Sequence, residues 1–491
     1  MKETGMKLLK NYDCLIVGAG VSGLYTALNL RDDLSVLMIS KKELGLSNSS
    51  LAQGGIATVF DQKNDKFENH IEDTLKAGGF QNNINSVEMI VKSGPENIEK
   101  LIELGVEFDK RKNGNIHLTL EGGHSNPRIL HHKDSTGNEI VNKLYLAVKE
   151  KKNIEIKENC YLSQMEKKDG GFYAELFSEE EKETVFAKRI VMVTGGIGRV
   201  FEYTTNSAIS TGDGIVLAYK LGAKVSDMSL IQFHPTAFAA KSGRERFLIS
   251  EALRGEGAYL INSENRRFMD RYDERLELAP RDIVSKSIIL ESRRLKNDNF
   301  YLVISHKDEN YIRERFPMIY ERCLEEGVDI TTDKIPVFPC QHYLMGGIDV
   351  DLEGRTSVKG LYAAGECSHT GVHGKNRLAS NSLLEAVVYA KKIAGNINAE
   401  IDEDIITTEL SSPFKEDIGE NPVMTGMRTK IRSIVQSAYF VIPDFTAARE
   451  GFVQIKEIIK SLESGNYIKN KDYYEVYNLA VTAYLIFREI V

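Results

Sequence analysis

Gly18-Ala19-Gly20-Val21-Ser22-Gly23 is the first stretch of this 491-residue chain whose residue types could do chemistry. It follows an apolar run, residues 14–17 (CLIV), that reads as a short buried strand. Leu24, Ala27 and Leu28 follow at helical spacing, Asp32-Asp33 marks the helix exit, and residues 35–40 (SVLMIS) read as a second strand. GxGxxG alone is weak, but strand, glycine turn, helix and strand in this order predict a dinucleotide-binding unit. Gly18 would permit the tight turn, Gly20 would let backbone approach a pyrophosphate, and Gly23 would let helix and strand pack closely. Ala19 and Val21 complete the turn, and the helix N-terminus offers free N–H groups and a positive dipole end to the phosphates. Many such units carry an acid at the end of the second strand to hold the ribose. Here that strand ends in Ser40-Lys41-Lys42-Glu43, so Glu43 reads as a solvated loop residue and Ser40 and Lys41 are expected near the adenosine end.

Three more small-residue elements extend this cradle. In residues 47–59 (SNSSLAQGGIATV), Asn48, Ser49, Ser50, Leu51, Ala52, Gln53, Gly54 and Gly55 are expected to lie flat against a cofactor, because the stretch continues into apolar Ile56 to Val59. Residues 190–196 (IVMVTGG) place Thr194 and Gly195 after a strand, and residues 360–366 (GLYAAGE) do the same for Glu366, whose carboxylate could accept a ribityl or ribose hydroxyl. Ala379-Ser380-Asn381-Ser382-Leu383 opens a strong helix. Its first N–H groups, near Ser382 and Leu383, could face a flavin N1–C2=O edge, where the reduced ring is negative.

The whole chain must hold these pieces in place. A single core rarely grows past roughly 250–300 residues, so two or three domains are expected. Hydrophobic residues at 42% and charged residues at 27% exclude a disordered chain, a coiled coil and a collagen-like fibre. A formal net charge of −8 argues against nucleic-acid and anionic-membrane partners, so an anionic substrate must be met by local positive charge. Five scattered cysteines without a CxxC pair argue against a disulfide framework, an iron–sulfur cluster or a bound metal. Lys2, Lys7 and Lys10 before the first apolar run mimic a secretory signal, but Asp13, the interrupting glycines and the lack of a small-residue cleavage site oppose it. No other run reaches about 18 apolar residues, so no membrane span is expected, and the sparse cysteines make the cytoplasm the default compartment.

GAGVSG, SLAQGGIA, TGDG (211–214), QFHPT (232–236), EALRGEG (251–257), LAPRDI (278–283), HYLMGGI (342–348), GLYAAGE and HGKNRLASNSLLE (373–385) occur here in one order. That order, over roughly residues 12–395, resembles the succinate dehydrogenase/fumarate reductase flavoprotein family. The resemblance implies an α/β fold: a Rossmann-like FAD-binding domain (1–232 and 345–405) interrupted by an α+β capping domain (233–344). A linker at 411–422 and a C-terminal helical domain (411–491) would follow. The chain stops inside an apolar pattern, which leaves open whether that tail is short by nature. Asp213 of the TGDG motif joins the cofactor-binding set.

Two positions choose among branches. Members with covalent flavin carry a histidine five residues before the Gly-Gly pair's glutamine; here that position is Asn48, so FAD should be non-covalent. Glu121, in Thr119-Leu120-Glu121-Gly122-Gly123-His124-Ser125, resembles the glutamate that meets a substrate amino group in the aspartate-oxidising branch. An ammonium group needs a carboxylate partner, whereas an anion beside succinate would repel it. The plainer reading of Glu121 is an exposed loop glutamate. For the substrate carboxylates the resemblance implies His234, Ser250, His342 and Arg377, with both histidines expected at loop or strand ends. Arg281 is implied as the proton-transfer group beside substrate C3, relayed by Glu251 and Arg254; read without the family, Arg281 would be a helix-start residue paired with Asp282. The implied reaction oxidises L-aspartate to iminoaspartate, with FAD reoxidised by dioxygen or fumarate. That is the first step of NAD biosynthesis by the quinolinate route, with possible hand-off to quinolinate synthase. The rivals are a fumarate reductase or succinate dehydrogenase flavoprotein subunit, opposed by Asn48 and Glu121, and a non-catalytic FAD-binding scaffold.

Overall fold

The computed structural model describes residues 9–168, 170–178, 182–239, 243–401, 412–414 and 424–491. The expected linker 411–422 lies outside them apart from 412–414, as do Lys2 and Lys7 of the signal-like N-terminus.

The main sheet has seven strands. Lys10–Val17 pairs in parallel with Val36–Ile39 on one side and Lys182–Met192 on the other. Ile154–Lys157 adds a parallel strand beyond Val36–Ile39. Lys182–Met192 is long enough to serve two partners on its other flank. Its first half pairs antiparallel with Gly171–Phe177, and its last residues pair in parallel with Leu361–Ala363. A strand from far along the chain thus returns beside Lys182–Met192, and the GLYAAGE turn comes close to the glycine turn, where a Cβ on Gly365 would sit 2.8 Å from Ser22 Oγ. Alternation along Lys10–Val17 sorts its side chains between two layers. Cys14 and Ile16 pack with Leu24 and Val387 of the helices Val21–Asn29 and Asn381–Glu400. Leu15 and Val17 belong to the core on the opposite face, which also takes in Leu479 and Phe487 of the last helix. A parallel sheet covered on both faces explains why Val36–Ile39 is buried throughout.

Residues 231–344 form a separate layer. Its antiparallel sheet runs Ile231–Phe238, Ile335–Leu344, Phe300–Val303, Tyr259–Ile261. The helix Arg281–Leu295 packs on the first of these strands, and Phe268, Ile288, Leu302 and Ile335 make its own core. Three helices follow, Thr425–Ala438, Phe445–Ser464 and Lys471–Ile490. The second and third begin at side-chain caps, Asp444 accepting from Thr446 and Ala447 and Asn470 accepting from Tyr473. Among the described residues, no helix is long and apolar enough to cross a membrane.

Candidate active site

One cavity runs from the glycine turn to the start of the helix Asn381–Glu400. It is lined by Gly18, Ala19 and Gly20, by Ser40 and Lys41, by every residue from Asn48 to Gly55, and by Thr194, Gly195, Asp213, Glu366, Ser382 and Leu383. Val21 and Gly23 stand behind this lining. Gly18 has φ +121°, and a Cβ there would sit 2.2 Å from the Val193 carbonyl oxygen. A Cβ on Gly23 would sit 2.1 Å from the Gly18 carbonyl oxygen, so helix and strand approach too closely for any side chain. Gln53 Oε1 and Thr194 Oγ1 are buried and lack a protein partner. A groove walled by backbone, closed by two helix N-termini and holding unpartnered polar atoms along its length fits an extended dinucleotide such as FAD.

The end expected to meet adenosine is organised by an ion cluster. Lys41 Nζ lies 2.8 Å from Asp213 and 2.9 Å from Glu475 of the last helix. It also donates to Thr211 Oγ1 at 2.8 Å. Asp213 accepts from Asn478 at 2.8 Å and Tyr161 at 3.2 Å. Burial alone would raise the Asp213 carboxyl, but Lys41 and these donors hold it below the usual range. Glu366 accepts from the Leu344 N–H at 3.1 Å and from Asn48 at 3.4 Å, and burial pushes its carboxyl up to about 7.

At the other end the two histidines converge. Both lie within strands, His234 in Ile231–Phe238 and His342 in Ile335–Leu344, where loop or strand ends were expected. The reason is register: the pairing shifts between Gln232 and Phe233 and again between His234 and Ala237, across Pro235, which has no N–H to donate. The imidazole rings come to 5.0 Å of each other. His342 Nε2 lies 3.0 Å from Arg377 Nη2, and its Nδ1 2.6 Å from Thr205 Oγ1. Arginine only donates, so Nε2 accepts and Nδ1 carries the proton. His234 Nδ1 accepts from the Thr236 N–H at 3.2 Å, which leaves a buried Nε2 without a partner. Burial first, then the nearby Arg281, push both imidazoles well below their ordinary range, so both are neutral, and of the two only His234 keeps a free N–H.

Arg281 opens its helix after Pro280, and its ion pair is with Glu251 (Nε to Oε2, 2.6 Å) instead of Asp282. Its Nη1 donates to Gln232 Oε1 at 2.9 Å, the same oxygen that Arg377 Nη2 approaches at 3.3 Å. The neutral amide therefore joins two guanidinium groups. Arg377 lies 4.1 Å above the Tyr343 ring and is lowered to about 10, by burial and then by Arg281. Ser250 caps the helix Glu251–Gly255 by accepting from the Ala252 N–H at 3.2 Å. Burial opposes ionised Glu251, but Arg254 and Arg281 hold it below the usual carboxylate range. Arg254 stands outside the cavity wall, 3.4 Å from Glu251 and donating to the Glu277 carbonyl. Glu121 is 4% exposed, which excludes the solvated-loop reading; burial first, then Glu251, raise its carboxyl.

His234, Ser250, Glu251, Arg281, His342, Arg377 and Glu121 thus line one cavity, with Arg254 behind them. Sequence reasoning passed over Gln232, Thr205 and Tyr343. Gln232 stood in the QFHPT motif beside His234, which was the available signal.

A protein-family profile described as an FAD binding domain matches residues 13–383. The chain is 49% identical to an L-aspartate oxidase of Clostridium perfringens over 392 residues, 79% of this chain and 87% of that protein. It is 38% identical to an L-aspartate oxidase of Pseudomonas aeruginosa over 500 aligned positions, 97% of this chain and 92% of that protein. In structure it resembles a quinol fumarate reductase chain from E. coli, with a TM-score of 0.87 at 28% identity over 97% of this chain and 88% of that one.

Proposed function

Because the chain belongs to the L-aspartate oxidases of the FAD-binding flavoprotein family, we propose how its own residues perform that oxidation. It is an FAD-dependent oxidoreductase that converts L-aspartate to iminoaspartate, the first step of NAD biosynthesis by the quinolinate route. The cofactor is held non-covalently, since the Asn48 carboxamide offers no ring nitrogen for a flavin bond. In this reading residues 1–232 and 345–405 hold FAD, 233–344 cap it and 411–491 form the helical tail.

FAD, when bound, supplies the two-electron acceptor for the hydride that leaves substrate C2. The chain supplies position and charge. Arg377, His234 and Ser250 donate to the two carboxylates from several directions, and His342, whose Nε2 accepts from Arg377 in the free protein, joins them when its proton moves to Nε2 and Thr205 donates to Nδ1. The free His234 Nε2 is a donor placed for one carboxylate oxygen. Glu121 receives the α-ammonium group, orients the nitrogen and takes the proton it loses as the C=N bond forms. With fumarate as acceptor, Arg281 hands a proton to the neighbouring carbon, and Glu251 with Arg254 returns one to Arg281. Closure of the cap over the ring excludes water and strengthens each of these interactions.

The single observation that carries this reading is that Arg281, Arg377 and the neutral His234 face one cavity together with the buried carboxylate of Glu121, which unlike Glu251 has no ion pair with either arginine. Arg281 and Arg377 opposite two substrate carboxylates, with Glu121 left for one ammonium group, suit a substrate with two negative groups and one positive. Anaerobic mixing of FAD-loaded protein with L-aspartate should bleach the flavin, and fumarate or air should restore its colour. Persistent colour with aspartate would refute the reading. Dioxygen and fumarate both serve as acceptors in this proposal, iminoaspartate passes to quinolinate synthase, and the setting is cytoplasmic. FAD carried into an acid pellet would favour the covalent dicarboxylate enzymes instead.

A further inference from the structure

We propose that Ser380 is a positioning residue for aspartate specificity: its hydroxyl holds Glu121 as an oriented anion in front of the substrate nitrogen. The inference rests on the reading of Glu121 as the ammonium partner and deepens it.

Ser380 immediately precedes the helix Asn381–Glu400 and has φ +61°, a left-handed conformation that non-glycine residues rarely adopt. Strain of this kind persists where surrounding contacts over-determine it. Here they do. The Ser380 carbonyl accepts the Ala57 N–H at 3.0 Å. Its Oγ accepts the Gly55 N–H at 3.3 Å and donates to Glu121 Oε2 at 2.6 Å. A hydroxyl has one proton, so the relay runs in one direction, from Gly55 through Ser380 to a carboxylate that accepts. The other Glu121 oxygen is fenced by Gly54, where a Cβ would come within 2.7 Å of Oε1.

The Glu121 loop is tied to the same helix start at a second point. His124 Nε2 lies 2.9 Å from the Ala379 carbonyl oxygen, and Arg128 Nη1 lies 3.0 Å from His124 Nδ1. Because Arg128 only donates, Nδ1 accepts and Nε2–H donates to Ala379. Arg128 is fully buried and paired with Asp65 and Asp73. Two hydrogen bonds of opposite direction therefore hang the loop 121–124 on residues 379–380, where the cavity meets the cofactor helix.

The need for Ser380 follows from the charges facing Glu121. Burial and Glu251 oppose its ionisation; Ser380, Arg281 and Arg315 favour it. Arg281 is engaged by Glu251. The Ser380 hydroxyl is the hydrogen-bond donor that the structure gives Glu121 directly.

The test compares Ser380→Ala, Ser380→Gly (which accepts the left-handed backbone) and Glu121→Gln in FAD-loaded enzyme. FAD content, aspartate kcat/KM across pH and the rate of fumarate reduction are measured. A hydrogen bond to a charged group corresponds to roughly ten- to hundredfold in an equilibrium constant. Both Ser380 variants should lose about that much aspartate kcat/KM beyond any loss of fumarate reduction. Their acidic limb for aspartate should move to higher pH, because a carboxylate deprived of its donor ionises later. In a Glu121→Gln background, Ser380→Gly should cost aspartate turnover little more. Equal losses with both substrates, an unmoved acidic limb, or loss of FAD from both Ser380 variants would overturn the proposal and leave Ser380 a structural residue. If Glu121→Gln itself fails to discriminate aspartate from fumarate, the underlying reading falls, and that result is separate from either Ser380 outcome.

Discussion

At one end of the cavity Lys41 is neutralised by Asp213 and Glu475; at the other, Arg281 and Arg254 share the carboxylate of Glu251, while Arg377 reaches the neutral Ser382, Gln232 and His342. Both clusters are buried, yet they are built for different purposes. The Lys41 cluster is closed upon itself: cation, anions, Thr211, Tyr161 and Asn478 satisfy one another, and Glu475 and Asn478 come from the C-terminal helix. It fastens the helical tail to the cofactor domain. The arginine cluster keeps polar atoms without hydrogen-bond partners, including His234 Nε2 and Arg377 Nε. A buried pair that is complete acts on folding, whereas an incomplete one is open to a ligand.

Four substitutions test that contrast. The largest effect is expected from Arg281→Leu, which should slow fumarate reduction by roughly 10²–10⁴-fold, the usual worth of a general acid, while FAD stays bound. Stopped-flow reoxidation by fumarate measures it, and retained turnover would remove the proton role. Lys41→Met should instead act on stability, by about 3–5 kcal/mol, because it leaves Asp213 buried without its cation. Chemical denaturation of the FAD-loaded protein reads this. The pair also sets a pH window. The Asp213 carboxyl is depressed, so its contribution is present above about pH 4 and is lost as pH falls further. The Lys41 amine is raised: burial opposes this, but Asp213 and Glu475 outweigh it. Its contribution is complete below about pH 10 and is lost as pH rises through the folded value. The difference between wild type and Lys41→Met should therefore be flat between those limits and shrink outside them.

Arg377→Lys keeps the charge but loses the planar fork. It should raise the dissociation constant for succinate roughly 10–100-fold, seen by flavin absorbance titration, with little change in unfolding midpoint. The smallest effect belongs to Glu475→Gln. Lys41 keeps Asp213, so stability should fall by no more than about 1 kcal/mol. A loss as large as that of Lys41→Met would show that the tail, and not Asp213, is the main partner. A last measurement sharpens the electrostatic side: imidazole NMR of the substrate-free enzyme should find His234 and His342 still neutral at pH values where an ordinary imidazole is protonated. Titration of either near pH 6.5 would contradict their burial beside Arg281.

Legibility in the sequence followed the range of the interaction. Gly18 and Gly23 were readable because a positive φ and a close helix–strand approach are conditions that only glycine meets, and its neighbours in sequence reveal them. The Asn48 and Glu121 positions were readable through their motifs. Gln232 was overlooked because a neutral amide carries no signal of its own until two guanidiniums arrive on either side of one oxygen. Lys41 lines the cavity where it was expected, but its ion pair with Glu475 was not readable, because that partner lies at the opposite end of the chain. The histidines were misplaced to strand ends because a register shift depends on the partner strand.

By itself, then, the sequence determined the cofactor cradle, the family and the kinds of side chain that must meet a four-carbon diacid, since these depend on residue type and local spacing. The tertiary structure alone decided which charges neutralise one another and which stay open, that Glu121 is buried against Ser380, and which ring nitrogen of each histidine carries its proton. Those outcomes depend on distance and desolvation, and residues separated by tens to hundreds of positions acquire both only when the strands pair and the cap layer packs over the sheet.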